Sequence, residues 1–237
     1  MTFTPIASSS AGNAYLVTDG DTRILLECGI PYKRLQAALD YAVPDFDGCL
    51  ITHEHKDHAG HIDQLLKRGV PVYASPGTAR MLELDAIRPF EMPKGSNIGP
   101  PFMVGSVTVV PFRTFHDAVQ PVGFLIRGKD GEQLVFATDT CGINYRFPDV
   151  TILAIEANYD DLILSRNTRM PESVVLRVRN SHMEISKLAD YLKSLDLSAC
   201  REIWLLHLSD ASSNEVEFTY KVRQSVGKSI AIYVAGK

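Results

Sequence analysis

Apolar positions in the first half of the chain fall in short runs with a period near two, which predicts strands. Tyr15–Thr18 and Thr22–Glu27 flank Asp19-Gly20-Asp21 and read as a hairpin. Pro31 opens a helical stretch through Leu35, Ala38 and Leu39, because its fixed φ suits a first helical turn. Cys49–Thr52 is a short apolar strand, Ile62, Leu65 and Leu66 have helical spacing, and Val72–Ala74 and Thr78–Leu84 follow as strand and helix. Glu91–Pro101 reads as a loop. Val104–Val110 alternates as a strand, and Val122–Arg127 and Gln133–Ala137 flank a second turn at Lys129-Asp130-Gly131. After the buried strand Val150–Ile155 the period lengthens to that of helices at Leu162–Arg166, Glu172–Val178 and Met183–Leu195. Strand Ile203–Leu206, helix Asn214–Arg223 and strand Ser229–Val234 complete the order. Such an order fits one compact domain of two sheets covered by helices, over residues 1–237.

Composition narrows the class. The 237 residues are 45% hydrophobic and 22% charged, as in a soluble globular protein, and the net charge is −4. No global positive field exists, so a nucleic-acid partner would need a local basic track. The opening MTFTPIASSS has neither the basic nor the apolar region of a signal peptide, and no apolar run approaches the roughly 20 residues of a membrane span. Cys28, Cys49, Cys141 and Cys200 are scattered, which predicts reduced thiols, packing roles and a cytoplasmic location.

The chemistry concentrates at Thr52–His58, THEHKDH, directly after a predicted strand. A turn there can aim alternate side chains at one point and the next pair at a second. Imidazole and carboxylate suit Zn²⁺, Mn²⁺ or Fe. Further ligand types stand where apolar runs end: His116 after Phe112–Phe115, Asp139 after Leu134–Thr138 and His207 after Ile203–Leu206. His61 lies one turn past His58 and reads as a supporting or surface residue.

Three clustered histidines and an aspartate, then a lone His, a lone Asp and a late His, resemble the signature of the metallo-β-lactamase superfamily. The resemblance implies an αββα sandwich with two metals at its edge. By motif position His53, His55 and His116 would hold one metal, Asp57, His58 and His207 the other, and Asp139 would bridge them. Ala7–Asn13 (ASSSAGN), Phe115–Phe124, Glu156–Asp161 (EANYDD), Asn180–Ser186 (NSHMEIS) and Leu205–Asn214 are similar to motifs of the WalJ/YycJ branch, regarded as DNA or RNA hydrolases related to ribonuclease Z. That branch commonly has His in place of Tyr159 and Asp in place of Glu27. His182 resembles the non-ligand histidine of the ribonuclease Z relatives and Glu156 the carboxylate that orients it; the plainer alternative for His182 is a residue of a helix N-terminus.

Two divalent ions, Zn²⁺ or Mn²⁺, would hold a bridging hydroxide for attack on phosphorus, with His182 serving the leaving group and Asp57 and Glu156 completing the catalytic set. Ser9, Ser10 and Asn13 lie in a loop able to cradle a phosphate or to act as a plain hairpin loop. Arg166, Arg169, Arg177 and Arg179 form the best local basic track, with a solvated helix face as the alternative. The expected function is a nuclease on DNA or RNA, exonuclease-like, with a nucleic acid or nucleotide substrate, no membrane partner, and the homodimer common among ribonuclease Z relatives. A cyclic nucleotide phosphodiesterase, with Tyr159 stacking on a base, is the second reading. A non-catalytic metal-binding protein and a thioester hydrolase come last.

Overall fold

A computed structural model describes residues 1–41 and 45–236 of the chain, which divide into two compact units. The first comprises residues 1–113, 118–132 and 236–237, and the second residues 114–117 and 133–235.

The first unit is organised on a six-stranded sheet in the order β1-β2-β3-β4-β5-β6. Its strands are β1 (Thr2–Ala7), β2 (Ala14–Asp19), β3 (Thr22–Leu26), β4 (Gly48–Leu50), β5 (Val72–Ala74) and β6 (Ile87–Pro89). The β2–β3 hairpin closes on Asp19 opposite Thr22, with Gly20 at φ +58°, as its turn residues predict. Helices α1 (Tyr32–Ala38), α2 (Lys56–Ala59), α3 (Ile62–Leu66) and α4 (Pro76–Leu82) connect the parallel strands. Leu25, Ile51, Ile62, Leu65 and Val72 form the heart of its core. Burying each such side chain contributes about 1.5–3 kcal/mol. Strand β1 was not expected, because Pro5 interrupts its alternation. The sheet accommodates Pro5 by making β1 an edge strand with a register shift between Pro5 and Ala7.

A three-stranded antiparallel ribbon belongs to the same unit: β7 (Phe102–Val104), β8 (Val107–Arg113) and β9 (Val122–Arg127). One strand was expected over Val104–Val110; the structure breaks it into a hairpin. Gly105 supplies φ +55°, and the Ser106 N–H donates to Thr22 Oγ1 at 2.9 Å. Phe90 stacks on Phe102 and meets Phe124 edge-on beneath this ribbon.

The second unit carries four parallel strands, β10 (Gln133–Ala137), β11 (Ile152–Glu156), β12 (Glu202–Leu206) and β13 (Ala231–Val234). Strand β11 is buried at every position, as a strand covered on both faces should be. Around it lie α5 (Asp161–Arg166), α6 (Glu172–Ser181), α7 (Ile185–Lys193) and α8 (Glu215–Arg223). Helix α7 begins two residues later than its apolar spacing predicts. The Glu184 carboxylate accepts from the Ser186 and Lys187 N–H groups at 2.7 and 3.0 Å and so starts the helix there. His182 is left extended at the end of α6 (φ −128°, ψ 159°). Among the described residues no helix is long and apolar enough to cross a membrane.

Candidate functional site

In the first unit, the end of β4 passes through Ile51 and Thr52 into His53, and α2 starts within the motif at Lys56. The Thr52 N–H donates to the Glu27 carboxylate at 3.3 Å, and Thr52 Oγ1 lies 2.9 Å from His53 Nδ1. That contact orients the ring so that His53 Nε2 stands 3.1 Å from His55 Nδ1. Beside it His58 Nε2 lies 3.2 Å from Asp57 Oδ2. Two ligands about 2.0–2.1 Å from one tetrahedral ion are themselves roughly 3.3 Å apart, so both pairs have the spacing of a shared cation.

Glu27 and Asn13 hold this cluster from behind. Glu27 is fully buried, takes φ +65° immediately after β3, and places Oε2 3.7 Å from His58 Nδ1. Burial pushes its carboxyl above the usual range, against the pull of His58 and the Thr52 hydrogen bonds. Asn13 Nδ2 donates to the Asp57 carbonyl at 3.2 Å and stands 3.2 Å from His58 Nε2, while its backbone N–H donates to the same carbonyl at 2.7 Å. Gly29 is obligatory here, since a Cβ would lie 1.7 Å from the Asp57 carbonyl oxygen. Glu27→Ala should reduce metal affinity by about 10–100-fold, the usual effect of losing a carboxylate behind a ligating histidine. Metal titration measures it, and unchanged affinity would show that Glu27 does not orient His58.

In the second unit, Asp139 follows β10, His207 follows β12 directly, and His116 belongs to the segment 114–117. Asp139 (φ +45°) and His207 (φ +53°) are both left-handed, a conformation uncommon for residues with a Cβ and concentrated where side chains must be re-aimed. Asp139 Oδ1 lies 3.3 Å from His207 Nδ1, and Oδ2 lies 3.5 Å from His116 Nε2. His116 Nδ1 donates to the Ser181 carbonyl at 2.9 Å, which fixes the tautomer and leaves Nε2 as the donor atom for a cation. Burial lowers the pKa of His116 despite the neighbouring Asp139, and so favours the neutral, ligating form.

Asp139, Glu156, His182 and His207 bring one donor atom each within 4.8 Å of one another. Chemistry of this kind fits a divalent ion, but Glu156 is already committed to N–H donors. Its Oε2 accepts from the Thr140 and Met183 N–H groups at 2.8 and 3.1 Å, and its Oε1 faces His182 Nδ1 at 2.7 Å and His207 Nδ1 at 3.2 Å. Burial works against its charge, but His182 and these bonds prevail and hold the carboxyl below the usual range. For His182 burial favours the neutral ring, and Glu156 outweighs it, raising the pKa. Glu156 therefore orients His182 through Nδ1. Asn158, missed as a functional residue, donates to the His207 carbonyl at 2.8 Å and faces its Nδ1 at 3.3 Å. Its only sequence signal was its place in EANYDD.

The expected substrate contacts divide. Ser9 is half-buried and Ser10 exposed, and the Ser9 N–H donates to Asn13 Oδ1 at 3.1 Å, so Asn13 ties the serine loop to Asp57. Tyr159 is only 2% exposed, and burial and nearby carboxylates push its hydroxyl up to about 12. Stacking on a base would first require that ring to be uncovered. Arg177 Nε pairs with Asp117 at 2.6 Å, and Arg179 Nε with Asp161 at 2.7 Å. Both are solvent-exposed pairs that a phosphate would have to displace. His61 Nδ1 faces Gln64 at 3.2 Å. Cys28, Cys49 and Cys200 are buried, and burial with Glu27 nearby raises the Cys28 thiol to about 12.

Residues 22–208 match the model of the β-lactamase superfamily domain, and the chain belongs to that superfamily. It is a metal-dependent hydrolase of the nuclease-like kind, with two mixed sheets flanked by helices. The exodeoxyribonuclease YycJ of Bacillus anthracis is 28% identical over 218 residues, covering 87% of this chain and 82% of that protein. The exodeoxyribonuclease WalJ of Streptococcus pneumoniae is 30% identical over 176 residues, covering 67% of this chain and 63% of that protein. Of solved structures, the metallo-β-lactamase fold protein YhfI from Bacillus subtilis aligns with a TM-score of 0.73 at 17% identity, over 99% of this chain and 97% of that one. At that identity the likeness shows the fold.

Proposed function

We propose that the chain is a dinuclear-metal phosphodiester hydrolase acting on DNA as an exonuclease, with its two units serving as a single metallo-β-lactamase domain. The observation that carries the reading is the Glu156–His182 pair beside Asp139 and His207. Thioester hydrolysis has no use for such a pair, whereas an alkoxide leaving group needs a proton donor. The two relatives named as exodeoxyribonucleases support the choice of DNA over RNA or a cyclic nucleotide.

In this proposal His53, His55 and His116 hold one ion, Asp57, His58 and His207 the second, and Asp139 both. Two bound divalent ions, Zn²⁺ or Mn²⁺, would supply Lewis acidity toward a phosphate oxygen and an acidified water. Glu27, Thr52 and Asn13 fix the ligands of the first unit, and Ser181, Asn158 and Glu156 those of the second. His182 delivers a proton from Nε2 to the departing 3′ or 5′ oxygen, and Glu156 stabilises the imidazolium before transfer. Cytoplasmic location, resting on four scattered cysteines, and the homodimer implied by the ribonuclease Z resemblance are parts of the same proposal.

The test is a product-resolved assay with Mn²⁺ or Zn²⁺ on end-labelled single- and double-stranded DNA, RNA and cyclic mononucleotides. A ladder of shortened DNA is expected, and its progress shows the end of attack. Opening of cyclic nucleotides with intact DNA would replace this reading by the phosphodiesterase one.

A further inference from the structure

A cavity of about 270 Å³ in the first unit is lined by Arg80, Lys94 and Arg113 and by no carboxylate. None of the three cations has an ion-pair partner among the described residues, unlike Arg177 and Arg179. All three are exposed to solvent, and in a chain of net charge −4 they concentrate positive charge around one hollow.

The hollow is held by directed contacts on each side. Arg80 lies on α4, and Gly77 on the same helix donates its N–H to Gln120 Oε1 at 2.7 Å. A Cβ at Gly77 would stand 2.5 Å from Gln120 Cβ, so only glycine permits this approach. The segment expected to be a simple loop, Glu91–Pro101, is fastened to β8. The Gly99 N–H donates to the Pro111 carbonyl at 2.9 Å, and the Arg113 N–H to the Asn97 carbonyl at 2.8 Å. Gly95 turns at φ +82°, and the bonds at Asn97 and Gly99 hold Lys94 and Arg113 on a common wall.

A third set of contacts connects the hollow to the histidine motif. Glu54, between His53 and His55, accepts the Val119 N–H at 2.8 Å and the Thr78 hydroxyl at 3.4 Å. Val119 and Gln120 line the cavity. Glu54 thus braces the cavity wall against the two candidate ligands that flank it in sequence.

We propose that Arg80, Lys94 and Arg113 form a binding site for a phosphate of the DNA strand, away from the bond being cut. The proposal rests on the nuclease reading and extends it to how the polymer is held. A backbone phosphodiester and a terminal phosphate present the same oxygens to the guanidinium forks and the ammonium.

The test measures binding of fluorescein-labelled single-stranded DNA by anisotropy over a salt series, with Ca²⁺ in place of Mn²⁺ to suppress turnover. The wild type is compared with Arg80→Gln/Lys94→Gln/Arg113→Gln and with Lys67→Gln/Lys193→Gln/Lys228→Gln, which removes the same charge elsewhere. Thermal melting checks that each variant is folded. The cavity variant should bind about tenfold or more weakly, with a salt slope shallower by about 0.7, as loss of one neutralised phosphate on a single strand predicts. The remote variant should bind like the wild type. A cavity variant that matches the remote one overturns the proposal. Strands with a 5′-phosphate and a 5′-hydroxyl distinguish the two sources: equal weakening assigns a backbone phosphate, and weakening confined to the first assigns the terminal one. A wild type that binds DNA through these residues yet cuts none defeats the nuclease reading and leaves the phosphate site standing.

Discussion

Replacing Asp139 by alanine should lower phosphodiester hydrolysis by about three orders of magnitude, because the lost group is an electrostatic one in a buried site. Asp139 is 3% exposed and lies within 3.5 Å of both His116 and His207. Without it those imidazoles lose a carboxylate that faces both. The metal content measured by elemental analysis should fall with activity. The left-handed backbone adds a second effect, since alanine tolerates φ +45° less well than aspartate. Asp139→Asn separates the two: it keeps the shape and the backbone preference and removes the charge. Its melting temperature should stay near that of the wild type while its hydrolysis collapses. Hydrolysis by Asp139→Asn within tenfold of wild type would show that the carboxylate is not used by the reaction.

His182→Ala should behave differently. Turnover should fall by about 10²–10⁴-fold, the range for loss of a positioned general acid. Metal content should stay unchanged, because Glu156 retains the Thr140 and Met183 N–H groups and His207 retains Asn158. The loss should also depend on the leaving group. An aryl phosphodiester that releases p-nitrophenolate needs no proton, so its hydrolysis should suffer far less than that of DNA. An equal loss on both substrates, or loss of metal, would make His182 a ligand or a structural residue instead of a proton donor. Glu156→Gln should move DNA turnover in the same direction, since an amide can leave the imidazole in the wrong tautomer.

Much of the fold was legible because its signals are local. The β2–β3 hairpin follows from Asp19-Gly20-Asp21, and β9 and β10 have the limits that their apolar runs predict. The errors came where a distant partner overrules local pattern. Val104–Val110 became a hairpin because Ser106 bonds to Thr22, 84 positions away. Strand β1 was obscured by Pro5, which only an edge position and a shifted register can tolerate. Helix α7 starts at Ile185 because the Glu184 carboxylate outcompetes a continuation toward Met183.

By itself the sequence determined the chemical type of the donors: imidazoles and carboxylates dense enough to indicate metal chemistry, with more of the same types at strand ends. Composition and motif spacing are properties of the chain, so they survive without coordinates. Tertiary structure alone decided how those groups are engaged. It turned Asp139 and His207 into left-handed conformations after their strands, set Glu156 against His182 across 26 positions, and gave Glu27 to His58. It likewise paired Arg177 and Arg179 with acids and left Arg80, Lys94 and Arg113 around one cavity. The reason is that an ionic or hydrogen-bonding group acts over a few ångströms, and only folding sets which distant residues come that close.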